Sequence, residues 1–486
     1  MKKDNLRKIA SLFLIYSLLL CSCQKALDPE VIQLPTADNA IQTAADVDKS
    51  VAAAYSFLRS VLPDKIFLMG DVRANTFESY SQSVNTRPET PIATNTITAL
   101  LNDNNKGGDW SGFYRVIAQC NLVLEKIPTI QNYDLSAKRR SLGEASFLRG
   151  LTYFYLTRFW GDVPMSLKAV DVDNIPRTPQ AEVYDQIKRD LDVAIANLDP
   201  SYSGGDKAVR ATKGAAWAIK AHVLAWLQDY SGSEKLCDSV INNGQYSLIT
   251  DTTQLLKIFI GKSQEGIFEL NFDATLKEVQ KNKVYNRTLG RPWYKDQSDG
   301  GGGTELYLLC PPAALLKQMF AAGEVDGRRS TWLTNSTLNN SPTRPYLGKY
   351  RTLQVQGDTT SQNINESNII ITRLADIMLL RAEALASSQV NRPADAIVWL
   401  NKVRERAKAR LYTSGGSLQD TILLERRKEL LGEGQIFFDY VRTRKLAAYS
   451  KITQADWYTK GAWLLPINPG IISQSGFIIT QNTFWQ

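Results

Sequence analysis

A single histidine, His222, limits the chemistry open to these 486 residues. Without a second imidazole there is no two-histidine zinc site and no His-Glu-x-x-His helix. A Ser/His/Asp or Cys/His nucleophilic site would have to use His222 itself. It stands between Ala221 and Val223 in an alanine-rich helical pattern, which suits a satisfied helical histidine better than a base or ligand. Paired carboxylates for glycoside hydrolysis need a set separation. Here Glu144, Glu383, Glu405 and Glu429 stand near Arg149, Arg158, Arg381, Arg404 and Arg426 on helices with apolar faces, a pattern that holds register between helices. Gly300 to Gly303 lacks the lysine and hydroxyl of a phosphate loop, and Gly432-Glu433-Gly434 lacks the third glycine of a dinucleotide turn. Asp171-Val172-Asp173-Asn174 has no later glycine and glutamate to complete a calcium loop. No cofactor is indicated, and a structural calcium ion is left open.

Binding chemistry is better represented. Trp293 and Tyr294 follow Pro292 and belong to no amphipathic stripe, and neither does Trp332. A pyranose offers an apolar face of C–H bonds to an indole or phenol, while its rim hydroxyls need planar donors and acceptors. Two polar stretches supply both kinds of contact. Met69 to Ile92 carries Asp71, Arg73, Asn75 and Tyr80; Lys281 to Leu347 carries Arg291, Trp293, Tyr294, Lys295, Asp296 and Trp332. Irregular segments this long are usually functional or disordered. The expected ligand contacts are these side chains, against the alternative that loop aromatics cover hydrophobic seams.

The N-terminus reads as an address. Lys2, Lys3, Arg7 and Lys8 precede an apolar run from Ile9 to Leu20, too short to span a bilayer comfortably. Leu20-Cys21-Ser22-Cys23 then matches a bacterial lipobox, in which residues 1–22 are removed and Cys23 is acylated. Losing that leader takes four basic residues and one acid, lowering the formal charge from +8 to +5. The remainder is dispersed, with no run of five like charges, so nucleic acid is a poor partner. Cys120, Cys237 and Cys310 are too few and too far apart for a disulfide framework; Cys120 and Cys237 lie in apolar helical patterns and read as buried thiols.

The elements that must position these residues are mainly helical. Apolar side chains recur at helical spacing over Glu144–Trp160, Asp185–Leu198, Thr212–Tyr230, Ser233–Asn243, Thr372–Ser388 and Pro393–Ala409. Consecutive pairs have about the length of a tetratricopeptide unit without its usual signature. Glu265 to Phe272 alternates like a half-buried strand. The expected fold is all-α, with degenerate tetratricopeptide-like hairpins and a long-loop, minor-β half, divided as 23–250 and 251–486 within one integrated unit.

Seven stretches, in order, resemble the SusD/RagB family of outer-membrane lipoproteins. They begin with Cys23 and Leu27-Asp28-Pro29, then Trp110 to Asn121 and Glu144 to Pro164. Arg373 to Asp376 with Leu380 to Ala384, Leu400 to Ala407, Glu425 to Leu430 with Gly432-Glu433-Gly434 and Asp439, and Leu465-Pro466-Ile467 with Gln481-Asn482 complete the set. Asn482-Thr483-Phe484-Trp485 and Gln435 depart from the usual family pattern. The resemblance implies four helical hairpins carrying an irregular ligand-binding half. It also implies a non-catalytic lipoprotein that binds an oligosaccharide or other nutrient and passes it to a SusC-like TonB-dependent transporter of the outer membrane. A lipid-anchored glycoside hydrolase and a peptide-binding or purely structural adaptor are the alternatives.

Overall fold

The computed structural model describes residues 41–79, 108–170, 175–273, 309–334, 345–351, 353–354, 364–365, 367–448 and 454–486, with Ile92, Ile97, Val284 and Thr288. Thr43–Gln486 form one compact unit and Met1–Gln42 another. Cys23 and its leader lie outside the described residues. No described helix is long and apolar enough to cross a membrane.

Eight helices make four hairpins: α1 (Ala44–Gly70) with α2 (Ser111–Lys126), α3 (Leu135–Trp160) with α4 (Gln180–Asn197), α5 (Lys213–Trp226) with α6 (Tyr230–Asn242), and α9 (Leu374–Ala386) with α10 (Pro393–Arg406). Between the last two hairpins lie α7 (Ala313–Met319) and α8 (Gly327–Trp332); α11 (Leu418–Leu430) and α12 (Ile436–Arg442) follow them. The fold is helical, as the periodicity implies. The caps explain the boundaries. Thr43 and Asp46 form a reciprocal capping box at α1, Asp134 caps α3 through Ala137 N–H, and Pro393 occupies the first turn of α10. Helix α3 stops at Gly161, whose φ of 75° lies where L side chains are disfavoured.

Each hairpin packs on the next, and α6 meets α9 across a long gap in sequence. Small side chains permit this: Ala215, Ala218, Ala221 and Ala225 of α5 are all fully buried. The aromatic centre lies at the end of α3. Trp160 meets Trp110 and Phe113 edge-on, each at 5.8 Å between ring centroids. His222 bonds Asp376 at 2.8 Å across the α5–α9 interface, a structural contact inside the helical stack. Cys120, Cys237 and Cys310 are buried.

Strand is sparse. Among the described residues, five antiparallel pairs join β1 (Glu78–Ser79) to β5 (Leu309–Cys310), β2 (Val163–Pro164) to β3 (Arg177–Thr178), β4 (Gly266–Leu270) to β10 (Ile369–Arg373), β6 (Leu333–Thr334) to β7 (Tyr346–Leu347) and β8 (Leu353–Gln354) to β9 (Ile364–Asn365). The alternation at Glu265–Phe272 yields β4, but all its side chains are buried because β10 and the helices cover both faces. The stretch Lys281–Leu347 is less irregular than its composition suggests, since α7, α8 and three short strands fall within it. Each is too short to show a period. Helix α1 carries no clear stripe and contains Pro63, and only its capping box marks it in the sequence.

Ion pairs fix the helix packing, with partners remote in sequence. Arg149 of α3 donates Nε and Nη2 to Asp190 of α4 at 2.9 and 2.6 Å, and Nη1 to Asn121 of α2 at 2.8 Å. Glu144 takes Arg210 at 2.7 and 2.5 Å instead of its sequence neighbour. Breaking a buried pair by removing one partner costs roughly 3–5 kcal/mol, because the other charge stays uncompensated. Arg149→Met should therefore lose stability of that order in urea unfolding, and adding Asp190→Leu should recover part of it. A double variant no more stable than the single one would refute the inter-helix role.

Candidate functional site

The polar stretches meet at their described ends, although Ile92, Val284 and Thr288 within them are helical and buried. Helix α1 ends at Gly70, and a single 3-10 turn, Val72–Ala74, carries the chain to Asn75 in the left-handed region at φ 57°. β1 then pairs Glu78 with Cys310 and Ser79 with Leu309. The chain entering the first loop at Tyr80 thus leaves beside the place where the second loop ends. Cys310 packs on Tyr346, and β6–β7 closes the third segment, residues 335–344, at its base. The second loop departs at Asp273, where Arg59 of α1 donates to the Asn271 carbonyl at 3.2 Å and Asn368 accepts from Phe272 N–H at 2.9 Å. Helix α1 and the turn after it thus touch the described ends of both stretches, Arg59 at Asn271 and β1 at β5.

Beside the turn that ends α1 lies a polar, closed floor. Asp71 is fully buried and accepts from Gly432 N–H at 3.0 Å and Gly434 N–H at 2.5 Å, one on each oxygen. Burial pushes its pKa up to about 7, against the pull of those two N–H groups. The approach is so close that a Cβ on Gly70 would lie 2.0 Å from the Gly434 carbonyl oxygen. Gly432 and Gly434 adopt φ of 82° and 77°, which turns their N–H groups toward the carboxylate. Lys349 donates to the Glu429 carbonyl at 2.8 Å and to Glu433 at 2.6 Å, and burial lowers its pKa to about 8. The Tyr350 hydroxyl donates to the Gly432 carbonyl at 2.7 Å.

This arrangement corrects three expected ligand contacts. Asp71 holds the Gly432–Gly434 turn. Arg73, 3% exposed, donates to the carbonyls of Trp463 and Ala462 at 2.6 and 2.7 Å, with its guanidinium 4.6 Å from the Phe437 ring centroid. Trp332, 2% exposed, covers Lys349, whose Nζ lies 4.0 Å from the ring centroid, and meets Phe259 edge-on. All three face inward because a short turn and a short helix press that part of the chain against the core. Asn75 is exposed at the rim. Tyr80, Arg291, Trp293, Tyr294, Lys295 and Asp296 lie outside the described residues. Lys349, Glu433 and the two glycines complete the floor, and the Gly-Glu-Gly spacing was the one available signal for them. Among the described residues no group of three His, Cys, Asp or Glu side chains is placed to hold a metal ion.

Comparison with known proteins places this geometry. Residues 35–224 match the family model described as "Starch-binding associating with outer membrane", and residues 317–485 match the SusD family model. A SusD-like protein, P38, of Formosa agariphila is 30% identical, with 92% of this chain and 93% of the relative covered. The crystal structure of a SusD homolog from Bacteroides thetaiotaomicron superposes with a TM-score of 0.78 at 27% identity, covering 92% of this chain and 99% of the other. A laminarin-binding SusD-like protein shares the fold at a TM-score of 0.72 and 23% identity, covering 91% and 99% of the two chains.

The Asp71 turn has a measurable signature. Its pKa rises from the ordinary 3.8 to about 7, so between these values the folded chain keeps a proton that the unfolded chain has released. Stability then falls as pH rises through that interval. Asp71→Asn should remove this component. Urea unfolding of both proteins should show the wild type losing stability relative to the variant over that range, with parallel curves outside it. Parallel curves throughout would exclude a raised Asp71.

Proposed function

We propose that this chain, which belongs to the SusD/RagB family, is a surface lipoprotein that captures a glycan on its loop rim and delivers it to a SusC-like TonB-dependent outer-membrane transporter. The convergence of both loop roots on the β1–β5 pair carries the reading. That pair joins the chain just before Tyr80 to the chain that follows residues 291–296, the two stretches in which the sequence concentrates rings and planar polar groups. The family description of starch binding at the outer membrane supports it, as does the laminarin binding of a protein with the same fold. Anchoring follows from the lipobox at Cys23, where two or three acyl chains would give a stable attachment. Asn75, Tyr80, Arg291, Trp293, Tyr294 and Asp296 are the proposed contacts. Recognition would rest on ring stacking and hydrogen bonds, with no covalent step.

The leaderless chain should retain at least one member of a panel of starch, laminarin and other glycans, and chromatography should recover that glycan uncut. Trp293→Ala with Tyr294→Ala should weaken retention roughly tenfold or more, the equivalent of about 1.4 kcal/mol, without lowering the melting temperature. Cleavage products would instead favour a hydrolase, and unchanged uptake by cells carrying the double variant would favour a structural adaptor. Cys23→Ser in the full chain should move the protein out of the membrane fraction. Persistence there would remove the lipid anchor from the proposal.

A further inference from the structure

A cavity of about 270 Å³ opens at the junction of the third and fourth hairpins. Gln228 and Tyr230 of the α5–α6 turn form one wall, and Glu383 and Ser387 at the end of α9 form another. Leu423 of α11 and the chain leaving α12, Arg442 to Lys445, close the rest. The volume is at the low end for ligand pockets, suited to one ring and not a chain.

Its charges are unbalanced. Arg442, 6% exposed, donates Nε and Nη2 to Glu383 at 2.8 and 2.7 Å, and Nη2 also lies 2.8 Å from Asp439. Its Nη1 donates to no group among the described residues, and the side chain lines the cavity. Glu383 is saturated, since Tyr230 also donates to it at 3.1 Å. Asp439 is shared with Arg426, whose other acid is Asp376. At the mouth Asp420 is paired with Lys445 at 2.9 Å. Two guanidinium groups are left without an acid among the described residues. Arg444 is exposed at the mouth, held at φ 56° with its guanidinium 5.1 Å from the Tyr458 ring centroid. Arg158 lies behind Arg442, 5% exposed, within 4.1–4.6 Å of the rings of Phe154, Phe438 and Tyr155. Every acid facing the cavity is thus neutralised, and donors remain at its base and its mouth.

We propose that this cavity binds a compact carboxylate-bearing sugar, a hexuronate or a hydroxylated acid of that size. The carboxylate would meet Arg442 Nη1 and Arg444, charge-assisted contacts about twice as strong as neutral ones. The ring would lie between Leu423 and Tyr230, with Ser388 and the amides of Gln389 and Gln419 within the lining to meet its hydroxyls. The site is independent of glycan capture on the loop rim.

Calorimetric titration of the leaderless chain with glucuronate and galacturonate should give saturable one-to-one binding of at least one of them. Glucose, the neutral ring, and acetate, the bare carboxylate, should each bind about tenfold or more weakly, since one charge-assisted contact corresponds to that factor. Arg444→Gln should weaken hexuronate binding by about the same factor, and Ser388→Trp, which fills the mouth, should abolish it. Both variants should keep the parent melting temperature and the parent retention of a glycan held by the rim, so failure here is distinguishable from failure of the rim reading. Absence of hexuronate saturation, equal affinity for glucose or acetate, or undiminished binding by both variants would overturn the proposal.

Discussion

The structure depends on one buried carboxylate, Glu429 of α11. Arg373 of β10 reaches it at 2.6 Å, Arg328 of α8 at 2.9 Å, and Arg406 of α10 also contacts it. These side chains are almost entirely excluded from water, and the three guanidinium groups hold the carboxyl well below the usual carboxylate range. Taking such ions out of water costs several kcal/mol each, and only near-complete pairing offsets that. The surrounding acids complete it: Glu265 for Arg373 and Arg406, Asp326 and Glu425 for Arg328, Glu433 for Arg373 and Lys349. Because Glu265, Glu425, Glu429 and Glu433 each pair with more than one cation, the elements that carry them cannot slide past one another without exposing a charge to an apolar interior.

The network also explains what was legible in the sequence. A helix with a clean stripe and a cap, such as α6 with Asp229 at its start, is visible in the sequence because local physics specifies it. The arginines and acids on the helices are visible as structural, but their partners are not: Glu144 and Arg210 are brought together only by the finished fold. Period carries no information about contacts so remote in sequence. Helix α1 is hidden because its apolar residues do not form a narrow stripe, although Thr43 and Asp46 mark its start.

The candidate site divides in the same way. A polar residue in a short irregular segment can face water or the core, and composition does not distinguish the two. Asp71, Arg73 and Trp332 turn inward because the Gly432–Gly434 turn, the carbonyls at 462–463 and Lys349 offer partners that no local pattern reveals. Rings beside Arg, Asp and Asn mark a candidate binding segment by composition alone. They were a poor guide to which side chain within it reaches outward.

The cluster around Asp71, Lys349 and Glu433 is charged, paired and closed to water, so the fold itself fixes its geometry. Gly70 is among the least replaceable positions beside it: a single added carbon there would meet the Gly434 carbonyl and part the Gly432–Gly434 turn from the Asp71 carboxylate.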